Sequence, residues 1–183
     1  VLVFEVHQPH RLRQNLFWDN KLFRRVKKED LFDYYFDHTL NEEVFQRACK
    51  KCYFPSNQIL LDLIDRYKKE SKRVKVSFSI SGTFLEQCEM FNKDLLESFK
   101  QLAETGCVEF LGQTYYHSLA SLFPDRGEFI EEVKMHQQAM SDLLGYRPTI
   151  FENTELLYNN VIAKTVEEMG YRGIYTEGVE RIL

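Results

Sequence analysis

Cysteine is scarce in this chain, with four in 183 residues, at positions 49, 52, 88 and 107. Four are too few for a disulfide scaffold, so the simpler expectation is a reducing, cytoplasmic setting with the thiols serving as small buried apolar groups. Cys49 and Cys52 have CxxC spacing. A zinc site would want a second close pair or a His pair, and a redox pair would open a helix directly after a strand, whereas this one closes a helical stretch. No metal is therefore expected. Long apolar runs are also lacking. None approaches the ~18–20 residues of a membrane span, so no membrane partner is expected. Nor is there an excess of positive charge. The 24 Lys and Arg face 28 Asp and Glu, a formal net charge of −4, which argues against a nucleic-acid partner, since such modules present a basic face. The chain starts inside the apolar run Val1-Leu2-Val3-Phe4, with neither an initiator Met nor the pattern of a secretory leader. No Gly-rich linker, repeat or low-complexity segment divides it, and one domain is expected.

What is present in quantity is hydrophobic and aromatic. Hydrophobic residues make up 44% of the chain and aromatics 14%, with ten Tyr and fifteen Phe, enough to build a substantial core. Short apolar runs rich in β-branched and aromatic residues recur at Val1–Val6, Val74–Ile80, Val108–Leu111, Thr149–Phe151 and Gly173–Thr176. All but the alternating second are nearly continuous, as strands buried on both faces are. Between them lie segments of helical period. Asn57–Lys69 is preceded by Ser56 as an N-cap, and Asp94–Glu104, Phe129–Leu144 and Val161–Met169 are followed closely by Gly106, Gly145 and Gly170. Strand–helix–strand repetition at this spacing predicts an α/β fold with parallel strands, either a barrel or a doubly wound sheet. The stretch from His7 to Arg73 is too long for one crossover helix. It predicts a helical insertion around residues 12–56, with 31–51 as its body.

In parallel α/β folds, sites are built from loops at the carboxyl ends of strands. The polar residues converge there: Glu5 to Arg11 after the first strand, Ser79 to Thr83 after the second, Gly112 to Ser118 after the third, Phe151 to Tyr158 after the fourth and Tyr175 to Gly178 after the fifth. These residues suit sugar chemistry. Tyr115, Tyr116, Tyr158 and Trp18 offer flat faces for pyranose rings, and Gln8, Asn153 and neutral His7 or His117 can hydrogen-bond sugar hydroxyls. A carboxylate at a strand end, such as Glu155, can attack an anomeric carbon or stabilise an oxocarbenium ion. Each Tyr taken alone is more often packing than platform, and a single Glu after a strand can simply cap the next helix. The convergence on one rim is what favours a site.

These residues resemble glycoside hydrolase family 57. His7-Gln8-Pro9 matches its first conserved region, Gly112 through Tyr115-Tyr116-His117 its second, and Phe151, Asn153, Thr154, Glu155, Leu156 and Tyr158 its third in the α-amylase-like branch. Cys52-Tyr53-Phe54-Pro55 and Thr176-Glu177-Gly178 resemble further segments of that branch. The resemblance implies a parallel (β/α)7-type barrel, incomplete here at about five strands, acting on α-1,4-glucans with retention of configuration and without a cofactor. It implies Glu155 as the nucleophile and His7 and His117 as substrate-subsite histidines. Glu152 is the nearest competitor for the nucleophile's role, at a position the motif leaves variable. Gln113 stands where many relatives carry an acidic residue.

Retention needs a second carboxyl as general acid. In this family that is an Asp in a later region, which neither Glu177 nor Glu180 resembles. The expectation is therefore that residues 1–183 form the N-terminal portion of a single catalytic barrel, inactive when isolated, with the acid beyond it. The same machinery serves 4-α-glucanotransferases and branching enzymes, the first alternative. A metal-dependent polysaccharide deacetylase using His7, His10 and His117, or a non-catalytic carbohydrate-binding domain, is the second.

Overall fold

The computed structural model describes residues 2–14, 26–70 and 73–178. Trp18 and Glu180 lie outside the described residues. Five strands are present among those described, β1 (Leu2–Val6), β2 (Val76–Ile80), β3 (Val108–Leu111), β4 (Ile150–Glu152) and β5 (Gly173–Tyr175), close to the runs read from the sequence. All the pairings are parallel, β1 with β2, β2 with β3 and β4 with β5. A parallel bridge between Gly112 and Phe151 joins the two sets. There the Gly112 N–H donates to the Ile150 carbonyl and the Glu152 N–H donates to the Gly112 carbonyl, both at 2.8 Å. Each strand thus lies beside its predecessor in the chain. A doubly wound sheet would reverse its order part-way, so the sequential order is that of a (β/α) barrel wall.

Helices fill the connections. The β1–β2 connection holds α1 (Leu31–Tyr35), α2 (His38–Ala48) and α3 (Phe54–Arg66), with a π-helical turn over Cys49–Tyr53 fusing the last two. Ser56 therefore lies inside a helix instead of capping one. The Phe54 N–H donates to the Cys49 carbonyl five residues back, and Pro55, which has no N–H to place, follows at the start of α3. Between β2 and β3 come α4 (Gly82–Phe91) and α5 (Lys93–Glu104), then α6 (Gly127–Leu144) and α7 (Asn160–Glu168) precede β4 and β5. The sequence reading missed α4. Gly82, Thr83, Phe84, Leu85, Gln87 and Cys88 are all buried, so the helix has too little solvent face to show an amphipathic period.

Strand alternation assigns the two faces of the wall. Val6, Phe78, Ile80, Phe110 and Phe151 point outward into the core beneath the helices. There Phe99 meets Phe78 and Phe110, and Phe84 joins Phe99 to Phe45, in mostly edge-on contacts with ring centroids 5.4–6.3 Å apart. A second cluster of Phe129, Val133, Phe151, Ile162, Val166 and Tyr171 packs behind β4. Each such side chain stabilises the fold by roughly 1.5–3 kcal/mol relative to exposure, so the chain's abundant Phe is largely accounted for by the core. The opposite face carries Glu5, His7, Ser79, Ser81, Gln113 and Glu152. The strands are therefore not apolar on both faces as their sequences suggested, and Leu2 and Phe4 on β1 are 57% and 41% exposed, because among the described residues β1 has only β2 as a strand neighbour.

Cys49, Cys88 and Cys107 are buried and free, and Cys52, also free, is exposed, unlike the expectation for all four. Burial pushes the Cys49 thiol up to about 11 and Cys88 higher still, which suits packing groups. Among the described residues no helix is long and apolar enough to cross a membrane, and no group of three His, Cys, Asp or Glu could hold a metal ion.

Candidate functional site

The polar face of the wall ends in two histidines. His7 follows β1 and His117 lies on the β3 exit loop, and their rings stack with centroids 4.6 Å apart and planes 29° from parallel. His7 Nδ1 is 2.8 Å from Ser81 Oγ and 3.3 Å from Thr83 Oγ1. Ser81 is placed by its second task, capping α4 by accepting from the Phe84 N–H. Desolvation, with smaller contributions from His117 and His10, lowers His7 to about 4. The ring is neutral at pH 7.

His117 is held differently. Nε2 is 2.8 Å from a Glu5 carboxylate oxygen and Nδ1 is 3.1 Å from Gln113 Oε1. Each ring nitrogen of His117 therefore faces an acceptor. The orientation of Gln113 follows from the next link. Its Nε2 donates to Ser79 Oγ at 2.9 Å. The hydrogen bonds run from His117 through Gln113 to Ser79. Gln113 is 1% exposed, a link inside the wall and not a rim group. Glu152 is 7% exposed and has one oxygen without a partner. Desolvation first, and then the charge of Glu5, raise its carboxyl, against the Ser79 hydrogen bond.

Glu155 is unlike Glu152 in every respect. It is exposed, and it sits in a single turn, Thr154–Leu156, with φ 56° and ψ 24°. Among the described residues, the non-glycine residues with left-handed backbone are His117, Glu155 and Leu156, all on the β3 and β4 exit loops. Such a conformation costs about 1–3 kcal/mol per residue, and it persists where the surroundings impose it, often at functional sites. Here Leu156 is anchored by its N–H to the Asn153 carbonyl at 2.9 Å and by Thr176 Oγ1, which donates to its carbonyl at 3.0 Å.

The remaining sequence-derived candidates divide into free and engaged. Tyr116 and Tyr158 are 47% and 48% exposed. Tyr115 is pinned: its ring covers Gly82, where a Cβ would come within 2.3 Å of it, and its hydroxyl donates to Glu86 at 2.8 Å. Burial, reinforced by Glu86, pushes its phenol up. The other Glu86 oxygen takes His10 at 3.2 Å. Gln8 donates to the Tyr53 hydroxyl at 2.8 Å and accepts from Arg11 at 3.1 Å, so it ties the π-helical turn to the β1 exit. Asn153 is 2% exposed and donates to Ser121 Oγ and the Leu157 carbonyl, both at 2.9 Å, which stitches two exit loops together. The sequence reading singled out none of Glu5, Ser79, Ser81, Thr83 or Glu86 as site residues. Period-two alternation back from His7 is the signal that would have found Glu5.

A fifth histidine anchors this face from behind. His136 on α6 is fully buried and donates Nε2–H to the Ile80 carbonyl at 2.7 Å, and its Nδ1 has no partner. Burial lowers it to about 4. A depressed histidine favours the fold fully above its ordinary value near 6.5, and that contribution is lost as pH falls towards 4. The protein is therefore expected to lose roughly 2 kcal/mol between pH 7 and pH 4.5 through His136, and His136→Gln should remove most of that difference. Urea denaturation of both proteins at the two pH values checks this, and an unchanged pH difference in the variant would place the acid sensitivity elsewhere.

Comparison with known proteins adds to this geometry. A family model for glycosyl hydrolase family 57 matches residues 1–183. Over 180 residues the chain is 44% identical to a Methanocaldococcus jannaschii protein provisionally named an alpha-amylase, a match covering 98% of this chain and 36% of that protein. It superimposes on the 4-alpha-glucanotransferase of Thermococcus litoralis with a TM-score of 0.68 at 19% identity, over 97% of this chain and 22% of the other. The alpha-amylase AmyC of Thermotoga maritima gives 0.62 at 12%, over 96% and 39%. The two superpositions show a shared fold. The chain spans about a third of the length of its curated relative.

Proposed function

The chain belongs to glycosyl hydrolase family 57, and from that premise we propose that the protein it builds is a retaining, α-amylase-like glycosidase acting on α-1,4-glucans. The observation that carries this reading is an exposed carboxylate, Glu155, on a strained β4 exit loop, beside a rim bearing the stacked His7 and His117. Glu155 is the nucleophile in this reading. It attacks the anomeric carbon and forms a glycosyl-enzyme that water then opens. Glu152, buried and with its carboxyl raised, is poorly suited to that role. Neutral His7, with Nδ1 engaged by Ser81 and Thr83, presents its other nitrogen to a sugar hydroxyl, and His117 stacks against it, held by Glu5 and Gln113. Gln8, Tyr115 and Asn153 shape the site through the bonds already described, and Tyr116 and Tyr158 offer faces to pyranose rings.

In the same proposal, residues 1–183 are the N-terminal portion of the catalytic barrel, with a helical insertion around 12–56. The general acid comes from outside these residues, the isolated chain is inactive, and the free cysteines fit a reducing, cytoplasmic setting. The test is the full-length protein with maltoheptaose, followed by proton NMR. The expected first products are shorter maltooligosaccharides in the α configuration. First products in the β configuration would overturn retention, and no cleavage or transfer would overturn the whole reading. Added maltose separates hydrolysis from its alternative, since dominant chain transfer onto maltose would make the protein a glucanotransferase.

A further inference from the structure

The β3 exit loop leaves the sheet through Gly112, Gln113 and Thr114 and then carries Tyr115, Tyr116, His117 and Ser118. His117 has φ 54°, a conformation an unsupported loop would relax. Its own hydrogen bonds do not supply the whole support. The His117 N–H reaches the Thr114 carbonyl at 3.2 Å, and the ring is held at the far end by Gln113 and Glu5. The stronger restraint comes from α6. Glu132 on that helix is 3% exposed. One of its oxygens accepts the Tyr116 N–H at 3.0 Å and the other accepts the Ser118 hydroxyl at 2.5 Å. The two bonds land on the residues immediately before and after His117. Ser118 Oγ, so oriented, accepts the Ala120 N–H at 3.2 Å, and the Ser118 N–H donates to Thr114 Oγ1 at 3.1 Å.

A buried carboxylate is expensive to desolvate and is retained where hydrogen bonds to charge compensate it. Glu132 has such bonds, and they go to a loop, not to a neighbouring helix or a basic side chain. A packing role alone would be met by a Leu or Met at this position of α6, whose other buried residues are mostly apolar, Phe129, Val133, Met140 and Leu144. We propose that Glu132 is a positioning residue for His117. It clamps the peptide on both sides of the histidine, holds it in the left-handed conformation, and acts on the reaction only through that ring. Its catalytic part rests on the glucan-acting reading, and its structural part stands without it.

The test uses Glu132→Ala, Glu132→Gln and Ser118→Ala in the full-length protein. Hydrogen exchange of the Tyr116 amide is read first, because it needs no substrate. Glu132→Ala removes the acceptor, and exchange should accelerate about tenfold or more. Glu132→Gln keeps one acceptor but cannot take up the Ser118 proton, so its effect should be smaller. It also serves if the alanine variant does not fold. With maltooligosaccharide as substrate, kcat/KM should fall about 10–100-fold in Glu132→Ala. In a His117→Ala background the same substitution should have almost no further effect, since the ring it positions is gone. A merely structural carboxylate would lower activity equally in both backgrounds. Unchanged Tyr116 exchange would overturn the clamp, and so would faster exchange with unchanged kcat/KM in an active parent. Equal losses in the two backgrounds would overturn its action through His117. If the parent protein neither cleaves nor transfers glucans, that reading fails by itself, and the exchange measurement alone decides whether Glu132 holds the loop.

Discussion

Glu155→Gln in the full-length protein is expected to lower glucan turnover on the order of 10⁴-fold while leaving glucan affinity nearly intact. The substitution is almost isosteric. It removes the negative charge and the nucleophilic oxygen that the proposed covalent step requires, and it leaves the rim histidines where they are. Stability should hardly move, because Glu155 is exposed and its backbone conformation suits Gln no worse than Glu. Glu152→Gln is the informative companion. Glu152 is buried and makes no direct hydrogen bond to His117 among the described residues, so it should cost far less rate. Steady-state kinetics with a binding isotherm on the inactive variant separates the two effects. A Glu155→Gln enzyme with near-normal kcat would move the nucleophile elsewhere, and Glu152 would be examined next.

Gly112→Ala should give the largest loss of stability. A Cβ at Gly112 would lie 2.3 Å from the Tyr171 hydroxyl and 2.5 Å from its ring, and Tyr171 is 6% exposed, packed edge-on against Phe151 at 5.2 Å. The ring cannot retreat without opening the cluster behind β4. The glycine cannot move either, because its N–H and carbonyl are the bonds that join β3 to β4. Overpacking of this kind costs about 2–3 kcal/mol, which for a chain of this size lowers Tm by roughly 5–10 °C. Thermal and urea unfolding measure it. An alanine variant as stable as the parent would mean that the seam between the two halves of the wall yields easily.

Much of this was legible before any coordinates. All five strands match their apolar runs within a residue or two, and the helices ending before Gly106, Gly145 and Gly170 stop where those glycines take positive φ. The reasons for the failures are specific. α4 is buried nearly all round and so carries no periodic signature. Ser56 was read as a cap because a π turn has no local pattern that distinguishes it from an ordinary helix end. For the site, the exit loops were found from fold logic alone, but the partners of each side chain were not. Tyr115, Gln8 and Asn153 look in sequence like free sugar-binding groups, and only packing shows that Glu86, Tyr53 and Ser121 occupy them. Glu132 could not have been singled out at all. It stands sixteen positions beyond Tyr116, in a different element, and nothing in its neighbours marks the loop it holds.

The run of hydrogen bonds from His117 through Gln113 to Ser79 has an energetic consequence for the rim. Each member has one orientation compatible with its neighbours, so the imidazole above has no rotamer search left when a sugar arrives. The dipoles beneath it are already aligned at folding. Reorganisation, which in water must accompany the development of charge, is here completed before the substrate binds, by side chains that never touch it.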